Sequence, residues 1–458
     1  MIAILRTVTA VFVLIWLSGC TTYEAYRSIL AVAPTGCSQS PEHGIAIDCR
    51  NRTPEHTNHY DLYFVEFDDQ GWLHPQQETG SGDAWRQLDF LMEKLRDSAK
   101  TGEISLVVYV HGWNHNASAD DENVRDFRDM LLAASLVEQS NEKRPGVKAR
   151  RVIGVYVAWR GKSLDLGAPL TFWDSKFTAQ HVAQGSAREL FSRLRGFQRA
   201  ENKDPTCSAQ TKRCKIRLLL IGHSFGGLIL FNAISESLID SLAVDEDEGE
   251  GSSPVPRFGD MVVLVNPAFE ASRYEPLHRI ATMRPPYRKY QAPIFVSVTS
   301  TADWATKLAF PFGRFFNTIF EHTASTNENA ANSNTIGHIP RYITHRLTLS
   351  KAGNPACDGW KDLRGVKPED MAKQLEIERN NDRAFFDGNL KDDLLPDHWT
   401  RTFCGGAVLA HTQYNPNSPI WNIQTDKEII PGHNEISGPV FSNFMRQLYH
   451  DTATYPMR

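Results

Sequence analysis

The stretch LLLIGHSFGGLIL at positions 218–230 sets one serine between glycines, at the junction of two apolar runs. The run before it, IRLLLI at 216–221, is apolar enough for a strand buried on both faces. After it, Leu228, Ile229, Leu230, Phe231, Ala233, Ile234, Leu238 and Ile239 read as a deeply buried helix. Between the two lies Gly222-His223-Ser224-Phe225-Gly226, which matches G-x-S-x-G. Such a turn is so tight that glycines are needed where the neighbours of the serine would collide with backbone. A serine pinned there projects its Oγ above the carboxyl end of the sheet, where ligands gather in open α/β proteins. The plain alternative is a glycine-softened turn with an ordinary serine. With a strand before it and a helix after it, Ser224 is read as a nucleophile.

A serine hydroxyl is a poor nucleophile by itself and needs a base, an orienting acid and donors for the oxyanion. The strand-like ISLVVYV at 104–110 ends in His111-Gly112-Trp113-Asn114, a turn suited to half of an oxyanion hole. The backbone N–H groups of Trp113 and Phe225 are assigned that role, and His111 is read as a residue that stabilises the loop. Asp303 follows the apolar strand at 294–298 and takes the place of the acid, the competing role being a helix N-cap. His433, in IIPGHN, precedes the apolar-periodic segment Val440, Phe441, Phe444, Met445, Leu448 and is the expected base. His338, His345 and His411 compete with it, and the first two fall in an insertion. Ser224, Asp303 and His433 run in the order Ser, Asp, His, unlike the orders of chymotrypsin or subtilisin.

Taken together, GHSFGG, VVYVHGW, the DWATKLAFP region and PGHNEI resemble the α/β-hydrolase superfamily, and within it esterase- or lipase-like bacterial lipoproteins. The resemblance spans roughly residues 60–310 and 407–450. It implies an α/β-hydrolase fold, a mostly parallel central sheet flanked by helices, and ester hydrolysis with no metal and no organic cofactor. The chain departs from the pattern between acid and base, which lie 130 positions apart. Thioester or amide cleavage by the same residues, and a non-catalytic envelope binding scaffold, are the alternative functions.

The amino end, MIAILRTVTAVFVLIWLSGC, reads as a targeting segment rather than part of the fold. Arg6 supplies the positive flank, and the apolar run at 8–17 falls short of the roughly 20 residues that span a bilayer. Leu17-Ser18-Gly19-Cys20 resembles a lipobox, which implies a signal peptide at 1–19 and lipidation of Cys20. Thr21 rather than aspartate next to it points, by the same resemblance, to the outer membrane facing the periplasm. The other six of the seven cysteines suit an oxidising compartment and permit 15 pairings, of which Cys37–Cys49, Cys207–Cys214 and Cys357–Cys404 are the simplest.

The chain has 458 residues, 41% hydrophobic and 22% charged, enough for one α/β domain with a large insertion. A net charge of -5 without a basic stripe gives no reason to expect nucleic acid; the expected partners are an ester substrate and the membrane. Residues 20–58 read as a tether and 59–450 as the hydrolase domain, with an insertion at about 304–406. The acidic run at 245–250 reads as a solvated loop and 324–335 as a flexible one. Phe312, Phe315, Phe316, Ile319 and Phe320 share a helical face that either packs the insertion down or walls an acyl pocket.

Acylation at Cys20 carries a direct expectation. The mature protein partitions with membranes and has lost residues 1–19, measured by intact mass. An unmodified Cys20 in a chain that keeps those residues contradicts it.

Overall fold

The computed structural model describes residues 25–30, 52–77, 84–142, 148–161, 168–203, 214–243, 254–283, 287, 290–311, 323, 325–413 and 415–454. Cys20, Cys37, Cys49, Cys207, the acidic run and the aromatic run at 312–320 lie outside them.

Eleven strands form one sheet. In chain order they are β1 (Glu55–His56), β2 (Tyr60–Glu66), β3 (Ile104–Val110), β4 (Arg151–Ala158), β5 (Ile216–His223), β6 (Met261–Val265), β7 (Phe295–Ser300), β8 (His345–Leu349), β9 (Thr400–Thr402), β10 (Ala407–His411) and β11 (Ile420–Thr425). Across the sheet they lie in the order β9-β10-β8-β11-β7-β6-β5-β3-β4-β2-β1. Every pairing from β8 to β2 is parallel, whereas β1, β10 and β9 join antiparallel at the two edges. The sequence reason is visible in β3: Ile104, Leu106, Val108 and Val110 face one core, and Val107 and Tyr109 the other. A strand covered on both faces loses the usual polar alternation.

Helices cover both faces. On one side pack α1 (Gln87–Thr101), α3 (Ala168–Gln184), α4 (Ala187–Asn202), α5 (Phe225–Leu242) and α6 (Glu275–Met283). On the other lie α2 (Glu122–Asn141), α8 (Pro368–Asn389) and α9 (Pro439–Thr454), while α7 (Thr326–Ser333) is short and mostly exposed. The helical stretch between β4 and β5 is broken into α3 and α4, because Gly185 and Ser186 meet the turn at Gly71. Ser186 N–H donates to the Gly71 carbonyl at 2.9 Å, and a Cβ on Gly185 would lie 2.7 Å from that oxygen. Residues 326–333, read as loop, are helical: Ser325 Oγ accepts the Glu328 N–H at 3.2 Å, an N-cap hidden in a polar stretch. Among the described residues α5 alone is long and apolar enough to cross a membrane, and here it is a core helix packed on the sheet.

Two segments differ from their expected character. The insertion is not set apart from the sheet: it supplies β8 and β9, which together with β10 extend the sheet beyond β11. Arg401 of β9 is buried between Asp382 of α8 at 2.6 Å and Asp451 of α9 at 2.5 Å, and a disulfide joins Cys357 to Cys404. Cys214 is also disulfide-bonded, its partner lying outside the described residues.

Part of the expected tether is likewise docked. Arg27 is fully buried, its guanidinium 3.8 Å above the Phe64 ring, 2.9 Å from Glu55 and donating to the Ala117 carbonyl at 2.8 Å. The backbone N–H groups of Tyr26 and Arg27 both donate to the Glu66 carboxylate, at 2.9 and 2.8 Å. Removing one member of a buried charge cluster leaves the rest uncompensated, at a cost of about 3 kcal/mol. Arg27→Met in the mature chain is therefore expected to lose about that much in denaturant unfolding. A midpoint unchanged from wild type would show that residues 25–30 do not belong to the folded unit.

Candidate active site

Ser224 stands between β5 and α5 with φ 55° and ψ -120°, a left-handed conformation that a non-glycine residue adopts only when its surroundings impose it. Its surroundings do. Ser224 N–H donates to the Val265 carbonyl at 3.0 Å, and its own carbonyl accepts from Gly227 and Ala268 at 3.0 and 3.2 Å. A Cβ on Gly222 would lie 2.7 Å from the Gly226 oxygen, so β5 and α5 close on each other without a side chain between them.

The three expected residues meet, although they come from three separate loops. His433 Nε2 lies 2.8 Å from Ser224 Oγ, and His433 Nδ1 lies 2.8 Å from Asp303 Oδ2. With Nδ1–H donating to the carboxylate, Nε2 is the acceptor for the serine O–H. Asp303 follows β7, is fully buried, and also receives the Thr306 hydroxyl at 2.6 Å and the N–H groups of Ala305 and Thr306 at 2.9 and 3.1 Å. Burial disfavours its ionised form, but the bonds from His433 and Thr306 outweigh this and hold its pKa below the ordinary carboxylate value. Asp303 thus caps its own helical turn as well as facing the histidine; the two roles weighed for it coexist.

Three positioning contacts carried no sequence signal that separates them from ordinary polar residues. Asn266, itself at φ 45°, donates to the carbonyls of Gly432 and His433 at 3.1 and 3.0 Å and accepts the Ser300 N–H at 2.9 Å. His223 Nε2 donates to the same His433 carbonyl at 2.9 Å. The loop that carries His433 is therefore tied to β5, β6 and β7. The third is Thr306: because its hydroxyl donates to Asp303, it accepts from His338 Nε2 at 3.1 Å. His338 reaches this spot because Gly337 lies flat on Thr299, where a Cβ would come within 2.1 Å of the threonine side chain. The remaining competitors are elsewhere: His345 and His411 face each other across β8 and β10, with His345 4.4 Å from the Trp421 ring.

The loop after β3 lies directly against the serine. A Cβ on Gly112 would be 3.0 Å from Ser224 Cβ, so glycine alone allows the approach. Neither the Trp113 nor the Phe225 backbone N–H donates to an acceptor among the described residues. His111 is buried and neutral in this loop: Nδ1–H donates to the Gly112 carbonyl at 2.8 Å and Nε2 accepts the Trp159 N–H at 3.1 Å. Aromatic rings continue from Phe225 to Phe172 at 4.9 Å, from Phe172 to Trp113 at 5.4 Å, and from Trp173 to Phe310 at 6.4 Å. Among the described residues no group of three or more His, Cys, Asp or Glu is arranged to hold a metal ion.

Burial pushes the pKa of His111 down to about 4, and burial together with the nearby His433 pushes His223 down to about 3. Above pH 6.5 each is neutral whether folded or unfolded. Below it the unfolded chain binds protons that the folded one refuses, so stability falls by about 1.4 kcal/mol per pH unit for each group. Comparing urea unfolding of wild type and His111→Gln between pH 6.5 and 4.5, the wild type is expected to show the steeper loss by about that amount. Parallel slopes would mean that His111 is protonated in the folded state.

The chain matches no protein-family model, no curated protein and no solved structure.

Proposed function

We propose that the protein is a serine hydrolase of the α/β-hydrolase kind, cleaving carboxylic esters through an acyl-enzyme, anchored in the cell envelope through acylated Cys20. The observation that carries this reading is the unbroken line of hydrogen bonds Ser224–His433–Asp303, with the serine on a strained strand-to-helix turn. A parallel sheet whose order turns back at β5 also supports it, since ligands gather at the carboxyl ends of strands there.

His433 Nε2 takes the Ser224 proton as Oγ attacks the ester carbonyl, and the buried Asp303 steadies the imidazolium that forms. The N–H groups of Trp113 and Phe225 receive the negative oxygen. Collapse of the tetrahedral intermediate expels the alcohol, protonated by the same histidine. Water activated by His433 then releases the acid and restores the serine. Asn266 and His223 hold the base through its backbone, and Thr306 fixes the carboxylate.

Reaction with a fluorophosphonate probe tests the nucleophile. Ser224→Ala is expected to abolish labelling and to reduce ester turnover by roughly four orders of magnitude or more, with His433→Ala losing a similar amount. Thr306→Val is expected to lower kcat by about tenfold at unchanged KM, because it disturbs the acid rather than the substrate. A folded Ser224→Ala protein that still takes the label sinks the reading.

A further inference from the structure

One end of the sheet gathers three independent features. Arg27 is buried at the carboxyl end of β2, pinned through its backbone to Glu66, the last residue of that strand. Seven positions separate it from Cys20, at most about 25 Å of extended chain. At the same end, Trp72 beyond β2 is 70% exposed, and Trp304 and Leu308 beyond β7 are 62% and 65% exposed. Of the four most exposed large apolar side chains among the described residues, only Met283, at the end of α6, stands elsewhere. β2 and β7 are five strand spacings apart, about 24 Å, and Ser224 follows β5 between them. Tryptophan suits the boundary between water and hydrocarbon, where one edge of its ring is wet and the other apolar.

We propose that the carboxyl-end face of the sheet rests on the leaflet that holds acylated Cys20, so that Ser224 opens toward lipid and takes acyl esters dissolved in the bilayer. This rests on Cys20 being acylated and on Ser224 being the nucleophile. The short leash supplies the orientation. β2 alone spans about 23 Å, so reaching the amino-end face would use up the whole leash along the height of the sheet. The apolar residues at the near face then enter the leaflet on both sides of the catalytic serine.

The test uses the mature, acylated full-length protein in phosphatidylcholine vesicles whose acyl chains carry bromine, a quencher of tryptophan emission. Quenching of the wild type is expected to exceed clearly that of the Trp72→Phe/Trp304→Phe variant, and to be the same in Ser224→Ala. Equal quenching in wild type and double variant overturns the proposal. So does an unacylated Cys20, and so does a lipid-free dimer in which Trp72 and Trp304 are already shielded by a second copy. In the activity arm, Trp72→Ser/Trp304→Ser/Leu308→Ser is expected to slow hydrolysis of a long-chain ester in vesicles about tenfold or more. Turnover of dissolved p-nitrophenyl acetate should stay within about twofold, and an equal loss on both substrates counts against the lipid-facing site. Absence of turnover on either ester with quenching intact removes the hydrolase reading and the ester substrates while leaving the docked face standing.

Discussion

No side chain fits at position 226. A Cβ there would lie 2.1 Å from the Val110 oxygen and 2.5 Å from the His111 oxygen, both backbone atoms with nowhere to go. This contact lets the first turn of α5 press against the end of β3, and the rest of the site follows from it. It brings the Gly112 backbone against the serine. It also turns Ser224 into a conformation that costs about 1–3 kcal/mol, offset by the packing of the strongly apolar β5 and α5 around it. The serine stands where it does because the backbone on three sides leaves it no other place.

His433 is held by a different means. His433 belongs to a loop outside any strand or helix, yet its carbonyl is gripped by two donors from neighbouring strand ends, His223 and Asn266. A backbone oxygen fixed at two points leaves the imidazole little freedom beyond its own rotation, which the Asp303 bond then removes. The histidine beside the serine in GHSFG thus has a physical task of its own, gripping the loop that carries His433.

The parallel strands, and Ser224, Asp303 and His433 as residues that meet, were legible because their signals are local. Unbroken apolar runs mark doubly covered strands, and a glycine-flanked serine between strand and helix marks a particular turn. What stayed hidden depends on contacts distant in sequence. Asn266 and Thr306 are ordinary polar residues until the fold brings a carbonyl or carboxylate to them. Arg27 sits in a stretch whose composition reads as linker, and only Glu55, Glu66 and Phe64 make it part of the core. The strands at 345–349 and 400–402 are short with weak patterns, so a region that widens the sheet reads as an insertion. The break at Gly185 depends on a turn more than a hundred residues earlier, which no window along the chain would reveal.

The order of the strands has a kinetic consequence. β11 lies between β7 and β8, both of which precede it in the chain. As the polypeptide is made, β7 presents an open parallel edge, and β8 with β9 and β10 forms a separate patch of sheet with an open edge of its own. Neither edge closes until residues 420–425 slide between them, bonding Phe295 to Ser300 on one side and His345 to Leu347 on the other. Pairings this distant in sequence close slowly, because the entropy of a long loop is lost before the contacts that reward it form. His433 follows that strand by eight positions, so the contact of Ser224, His433 and Asp303 forms and the sheet seals in the same late step.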